Sequence, residues 1–296
     1  MQQNGGMQRI VVTGSTGQLG GELCRQLGKA AIALPHAELE LIDRRAVRRK
    51  LRDLQPAVVI NAAAFTNVDL AEEHPDVARA VNVSAVKNLA DACRENGCPL
   101  VQISTDYVFG QEDPPRKPCR ETDPTDPRGV YAVTKHEGEQ AAAQLGRHLI
   151  VRTCGLYASP ADAEAKNFVN TVLRFAGAGR PLSVVDDQHC TPSYVPHVAR
   201  AILFLTREAL RDNAAWGVYH VANRGETTWF EFAQEVCRLA DIATPVRSIS
   251  TEDYGAAAPR PCYSVLDTSK FQALGGPETP TWQKALAERF AAQEPA

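Results

Sequence analysis

Several things are scarce in this 296-residue chain, and each absence narrows what it can be. No apolar run approaches the roughly 20 residues that cross a bilayer as a helix, so no membrane association is expected. Positive charge is not in excess: 32 Lys and Arg against 35 Asp and Glu leave a formal net charge of −3. The basic face that nucleic-acid binders present is therefore not expected. None of the eight cysteines forms a Cys-x-x-Cys pair. That argues against a zinc site or a disulfide frame, and for small buried thiols in a reduced, cytoplasmic protein. The seven histidines lack ligand-like spacing, so no structural metal is expected either. The opening MQQNGG has no charged-then-apolar pattern and reads as a loose extension rather than a secretory leader. There is no internal repeat.

What is present is a globular composition, 44% hydrophobic and 23% charged, on a chain long enough for a large core in two unequal lobes. Over the first two-thirds, short β-branched runs alternate with longer amphipathic ones, the pattern of a parallel sheet wrapped in helices. Strands are expected at Arg9–Gly14, Ala31–Leu34, Ala57–Ala64, Pro99–Thr105 and Leu149–Tyr157. Helices are expected after Gly17, over Pro75–Asn96 and over Tyr131–Leu145. In the second of these, Val77, Ala80, Val81, Ala85, Leu89 and Cys93 make one apolar stripe at three- and four-residue steps. Gln111–Gly129 breaks the rhythm with five prolines among charges, and its length suits a functional surface segment beside the site. Beyond Ser159, helices are expected at Asn167–Ala178, from Pro196 to about Leu210, at Thr228–Ala240 and from Trp282 to about Ala291. Strands fall at Leu182–Val185 and Val218–Ala222, and Thr251–Trp282 is rich in loop.

The segment Thr13-Gly-Ser-Thr-Gly-Gln-Leu-Gly20 follows a strand and opens a helix. Gly14, Gly17 and Gly20 let the backbone turn sharply and approach a pyrophosphate, whose charge sits on the helix N-terminus. A bound dinucleotide is the natural reading. The Asp that would hold its adenosine ribose is missing, since the second strand ends in Leu34-Pro35-His36, and no Arg stands there for a 2′-phosphate. Glu40 and Asp43 are substitutes that serve equally well as solvated acids, so NADH and NADPH both stay open at this point.

Tyr131 and Lys135 are i and i+4 on one helix face. A phenol with a pKa of ~10 is a poor acid–base group at neutral pH, and a neighbouring ammonium favours its ionised form. Tyr131 would then protonate a carbonyl oxygen while nicotinamide delivers hydride, and Lys135 would also hold the ribose. Ser104 or Thr105, at the carboxyl end of the fourth strand, would hydrogen-bond that carbonyl.

These three motifs resemble the extended short-chain dehydrogenase/reductases, and the likeness narrows to the dTDP-4-dehydrorhamnose reductase family. GSTGQLG at 14–20, INAAAFTNVDLAE at 60–72, STDYVFG at 104–110 and YAVTKHEGE at 131–139 are similar to that family. So are NFVNTVLRFA at 167–176, VVDDQHCTPSY at 184–194 and RPCYSVLDTSKF at 260–271. The resemblance implies a Rossmann-type α/β fold: a doubly wound parallel sheet with a smaller mixed α/β substrate lobe. Residues 7–154, with a contribution from about 196–225, would bind the dinucleotide; 155–195 and 226–296 would form the nucleotide-sugar lobe. It also implies reduction of the 4-keto group of dTDP-4-dehydro-6-deoxy-L-mannose to dTDP-L-rhamnose with NADPH or NADH. Thr105, Tyr131 and Lys135 match the family's catalytic residues, and Thr105 and Asp106 its sugar contacts. Gly17, Gln18, Leu19, Glu40, Leu41, Ala64, Phe65 and Thr66 match its cofactor contacts.

Two departures stand out. The family commonly has R-T-S-W where this chain has Arg152-Thr-Cys-Gly155, so the tryptophan that lines the sugar site has no counterpart at 155, which would widen the pocket. Glu40 replaces the family's Asp. In the second lobe Asn167, Asp187 and Arg260 are the candidates for pyrophosphate or thymidine contacts; Asn167 also suits a helix cap. Some members dimerise through a magnesium ion held by glutamates, which makes Mg2+ and a homodimer candidates; Glu22 falls at one such position but reads as an exposed helix residue. Two other readings share the scaffold: a different nucleotide-sugar 4-ketoreductase or epimerase, and a non-catalytic NADP-binding regulatory subunit, against which the intact Thr105, Tyr131 and Lys135 argue.

Overall fold

The computed structural model describes residues 9–110, 117–160, 165–211 and 216–292. The MQQNGG extension and residues 111–116 of the proline-rich segment lie outside the described residues. Short Val/Ile-rich runs become β1 (Ile10–Thr13), β2 (Ala31–Leu34), β3 (Val58–Asn61), β4 (Leu100–Thr105) and β5 (His148–Thr153). Between them run α1 (Gln18–Leu27), α2 (Arg44–Leu54), α3 (Val68–Glu73), α4 (Pro75–Arg79), α5 (Ala85–Asn96) and α6 (Gly129–Ala143). The chain continues through β6 (Leu156–Tyr157), α7 (Phe168–Gly177), β7 (Leu182–Val185), β8 (His189–Cys190), β9 (Ser193–Tyr194), α8 (Val195–Leu210) and β10 (Gly217–His220). Last come β11 (Thr227–Thr228), α9 (Trp229–Leu239), β12 (Val246–Ile249), α10 (Thr251–Tyr254), α11 (Ser269–Ala273) and α12 (Trp282–Ala291).

Six strands pair in parallel in the order β10-β5-β4-β3-β1-β2. Because side chains alternate across a strand, each run feeds two cores. Ile10, Val12, Val58, Ile60, Val101 and Leu149 pack on Leu23 of α1 and Val198 and Ile202 of α8. Val11, Val59, Leu100 and Ile150 pack on Val47 and Leu51 of α2, Leu89 of α5 and Ala142 of α6. Burial of such a side chain contributes about 1.5–3 kcal/mol, which is why these runs are apolar on both faces. After β1 the chain adds β2 on one side and β3 on the other. That reversal opens a crevice beyond the carboxyl ends of β1 and β3.

Three expected elements are cut or bent, each for a visible reason. The third strand stops at Asn61 rather than running to Ala64. The Asn61 side chain accepts from Thr13 Oγ1 at 2.6 Å and from the Ala63 amide at 3.2 Å, which peels the chain off the sheet. The fifth strand ends at Thr153 because Gly155 turns with φ +52°; Leu156–Tyr157 then pair with β9 instead. The helix expected over Pro75–Asn96 carries a π turn at Ala80–Ser84. An extra residue in that turn shifts the apolar stripe, so Val77 is 51% exposed and Ala78 is buried in its place.

The remaining elements pack around a separate apolar cluster of Tyr157, Val169, Val172, Phe232, Val236, Trp282 and Leu286. There β7 pairs in parallel with β12, and β8 pairs antiparallel with β11. Arg289, 1% exposed, ties α12 to this group by donating to the Ala158 carbonyl at 3.1 Å and to Asn170 Oδ1 at 2.8 Å. Among the described residues no helix is long and apolar enough to cross a membrane.

Candidate active site

A cleft of about 1280 Å3 runs over the carboxyl ends of β1, β3, β4 and β5. Pockets for a single drug-sized ligand usually span roughly 300–1,000 Å3, so this cleft has room beyond one such ligand. Gly14, Gly17, Gln18, Leu19, Gly20, Leu41, Ala64, Thr66, Thr105, Asp106, Tyr131, Lys135, Gly155, Asn167 and Arg260 all stand on its wall. Glu40, Phe65 and Asp187 do not.

At one end lies the glycine loop. Gly14 has φ +64°, and a Cβ there would meet the Ala63 amide nitrogen at 2.6 Å. At Gly20 a Cβ would sit 2.1 Å from the Gly14 carbonyl oxygen. Glycine is thus required at both by the closeness of neighbouring backbone. Gly17 is the N-cap of α1 and no side chain caps the first turn, which leaves amides at the head of the helix for an anion. These features fit a dinucleotide pyrophosphate. The loop after β3 is pinned by Asn82, in the π turn: its Oδ1 accepts from the Phe65 amide at 2.9 Å. Its Nδ2 donates to the Phe65 carbonyl at 3.2 Å and to Thr134 Oγ1 at 3.1 Å. Phe65 therefore faces its anchor through its backbone, and the sequence pattern gave Asn82 no prominence because an asparagine in a helix looks like an ordinary surface residue.

Glu40 is not on the cleft wall. It accepts from the Ile42 amide at 3.3 Å and lies 3.4 Å from His36 Nε2. His36, which the sequence reading treated only as the place of a missing Asp, stands on the wall instead, with Leu34, Leu39 and Leu41.

At the centre, α6 presents Tyr131 and Lys135. Tyr131 meets Tyr107 edge-on, ring centroids 5.6 Å apart at 82°. Lys135 is buried and donates from Nζ to the Ile103 carbonyl of β4 at 2.7 Å, not to the phenol. Burial is the dominant influence on both groups and opposes their ionisation. It pushes Tyr131 up to about 12, with the Thr105 hydroxyl drawing it back and the Asp106 charge adding to the rise. It pushes Lys135 down to about 8, against the opposing pull of Glu139. Burial thus opposes ionisation of the phenol, and Lys135 is not among the groups that shift it.

Thr105 Oγ1 ends β4, accepts from the Tyr107 amide at 3.2 Å and donates to Asp106 Oδ1 at 3.2 Å. Asp106 is 3% exposed, and burial pushes its carboxyl up; its second oxygen accepts from Ser264 Oγ at 2.5 Å. Ser104 faces a different task. Its hydroxyl donates at 2.5 Å to Glu139 Oε1, which also accepts from Arg152 Nε at 2.9 Å. Burial works to raise the Glu139 carboxyl, but Arg152, helped by His136 and Ser104, holds it down at about 2. This buried pair behind Lys135 escaped the sequence reading, since its two residues lie on different elements.

The far wall comes from the smaller group of elements. Asn167 caps α7, accepting from the Asn170 amide at 2.9 Å, while its Nδ2 donates to Gln18 Oε1 at 3.1 Å. Arg260 is forked onto Asp69 at 2.7 and 3.1 Å and donates to the Ala258 carbonyl at 3.0 Å. Asp187 lies off the cleft, exposed, accepting from the Thr251 amide and hydroxyl at 2.8 and 2.6 Å; it anchors the start of α10. The wall beside Gly155 is not vacant, as the lack of a tryptophan there suggested: Trp229 of α9 stands on it. Glu22 is not exposed either. It is 9% accessible and engaged by Arg25 at 2.6 and 2.7 Å and by Gln26 at 2.6 Å. Among the described residues no group of three or more His, Cys, Asp or Glu is placed to hold a metal ion.

Comparison with known proteins follows the same lines. The family described as RmlD substrate binding domain matches residues 7–294. A dTDP-4-dehydrorhamnose reductase of Streptomyces griseus is 42% identical over 291 residues, covering 96% of this chain and 93% of that protein. A Streptomyces antibioticus protein named probable dTDP-4,6-dihydroxy-2-methyloxan-3-one 4-ketoreductase is 36% identical, over 95% of this chain and 94% of its own. The crystal structure of dTDP-4-dehydrorhamnose reductase from Bacillus anthracis in complex with NADP superposes with a TM-score of 0.90 at 33% identity, covering 98% of this chain and 100% of that one. The chain belongs to the dTDP-4-dehydrorhamnose reductase family.

Proposed function

We propose that this protein reduces the 4-keto group of dTDP-4-dehydro-6-deoxy-L-mannose to give dTDP-L-rhamnose, with NADPH or NADH as reductant. The observation that carries the reading is the convergence of Thr105, Tyr131 and Lys135 on one cleft with the glycine loop. A nicotinamide dinucleotide supplies the hydride when bound, its pyrophosphate on Gly17–Leu19 at the head of α1. The Tyr131 hydroxyl gives its proton to the ketone oxygen, a role worth roughly 10²–10⁴ in rate for a positioned acid. Thr105, whose single hydroxyl proton is held by Asp106 Oδ1 before substrate binds, turns that proton to the same oxygen and holds the carbonyl for attack. Lys135, fixed by the Ile103 carbonyl, holds the cofactor ribose and returns a positive charge to the phenol's surroundings as it ionises. Residues of the 155–195 and 226–296 stretches take the dTDP moiety, with Arg260, held in place by Asp69, supplying positive charge beside its pyrophosphate.

A second reading, a 4-ketoreductase for another dTDP-sugar, is favoured by Gly155 and by the Streptomyces antibioticus relative. One experiment separates them. Purified protein is mixed with NADPH and a panel of dTDP-4-keto sugars while absorbance of the reduced nicotinamide is followed. Turnover of dTDP-4-dehydrorhamnose above the others is expected. Preference for a different member would transfer the assignment to the second reading, and no oxidation with any would remove both.

A further inference from the structure

We infer that Trp229 sizes the sugar end of the cleft and decides which keto sugar is accepted; this rests on the nucleotide-sugar reading above. The sheet register supplies the location. Thr105 of β4 lies beside Thr153 of β5, so the turn just past Thr153 borders the reacting centre. Within that turn Gly155 has φ +52°, and a Cβ built on it would fall 3.0 Å from Trp229 Cη2 and 3.1 Å from Pro192 Cα. The outer edge of the indole thus fills the room that a side chain at 155 would claim, and both residues face the cleft.

The ring is also braced. Trp229 opens α9, whose first turn is fixed by a capping box between Thr228 and Glu231. It packs on Phe168 with centroids 4.8 Å apart and on Phe232 at 6.4 Å. The two phenyl rings also stack on each other, 5.9 Å apart, so the indole rests on a packed aromatic cluster and forms a wall, not a flap. Its apolar surface matches the C–H face of a deoxysugar, and its position limits the bulk of whatever lies against Gly155. Misfit by one methylene-sized group in such a pocket changes discrimination by about 10–200-fold.

The test compares wild type with Trp229→Phe, Trp229→Ala, Gly155→Ala and the Gly155→Ala/Trp229→Ala double variant. Kd for dTDP-L-rhamnose and for NADPH is measured by calorimetry, and KM and kcat across keto sugars of graded bulk. Trp229→Ala is expected to raise the sugar Kd and KM about ten-fold and to flatten the preference against bulkier sugars, with kcat far less affected and NADPH affinity unchanged. Gly155→Ala should weaken sugar binding, and adding Trp229→Ala should recover part of that loss, because the clash partner is gone. Trp229→Phe keeps the packing on Phe168 and gives the readout if the alanine variants fail to fold. Sugar affinity and bulk preference within about two-fold of wild type in the Trp229 variants would overturn the inference. Wild type that turns over no keto sugar yet binds dTDP-L-rhamnose in a Trp229-dependent way would sink the proposed reaction and leave this wall standing. Wild-type turnover with indifferent Trp229 variants would do the reverse.

Discussion

Glu139→Gln isolates the buried pair behind the site. Glu139 is 4% exposed, and its two oxygens take Arg152 at 2.9 and 2.8 Å and Ser104 at 2.5 Å. Its carboxyl is carried from an ordinary 4.5 to about 2. At 1.36 kcal/mol for each tenfold change, that is about 3 kcal/mol of stability. The sign follows from the depressed folded value: the contribution is whole above 4.5 and disappears as pH falls towards 2. Removing one member of a buried pair typically costs about 3–5 kcal/mol, because the partner's charge is left uncompensated. Both routes give a loss near 3 kcal/mol at pH 7, well inside the ~5–15 kcal/mol of a typical domain, so the variant should still fold. Urea unfolding of wild type and variant at pH 7 measures it directly, and repeating the pair at falling pH should show the gap closing below 4.5. A loss under about 1 kcal/mol at pH 7, or a gap independent of pH, would refute the reasoning.

Three further outcomes are expected. Lys135 loses its charge above about 8, whereas Tyr131 keeps its proton to about 12, so kcat/KM for reduction should fall on the alkaline side with an apparent pKa near 8; a flat profile to pH 10 would contradict this. The same depressed cation costs stability below 8 and relieves that cost as pH rises, so this limb is not unfolding. Gly20→Ala places a methyl 2.1 Å from the Gly14 carbonyl and should abolish NADPH binding in a titration, while Gly17→Ala, whose Cβ meets the same oxygen at 3.4 Å, should keep most of it. Asn82→Ala frees the Phe65 backbone and should weaken NADPH binding by about 1–3 kcal/mol, read as Kd, with the sugar KM less affected.

Much of the sheet was legible because Val/Ile runs bounded by glycine, proline or asparagine admit few alternatives. Less visible was α2, whose RRAVRRKLRDL sequence buries only Val47 and Leu51, too thin a stripe to declare a period. Val77 fell on the wrong face because a π turn breaks helical phase without leaving a sequence mark. In the site, the glycine loop and the Tyr131–Lys135 spacing were readable, being local and periodic. Asp187 was misplaced, since an acidic residue tying a loop to Thr251 looks in sequence like one awaiting a ligand. The wall at Gly155 was misread for a different reason: its occupant, Trp229, arrives from a distant helix, and packing between distant segments is not written in local spacing. The extent of burial around Tyr131, which pushes its phenol up, was unreadable too.

The most direct test is single-turnover oxidation of bound NADPH by dTDP-4-dehydrorhamnose in wild type and Tyr131→Phe. A proton supplied by Tyr131 predicts a fall of about 10²-fold or more in the rate of hydride loss, with NADPH binding unchanged. A Tyr131→Phe rate within about three-fold of wild type would contradict the assignment of that phenol as the acid.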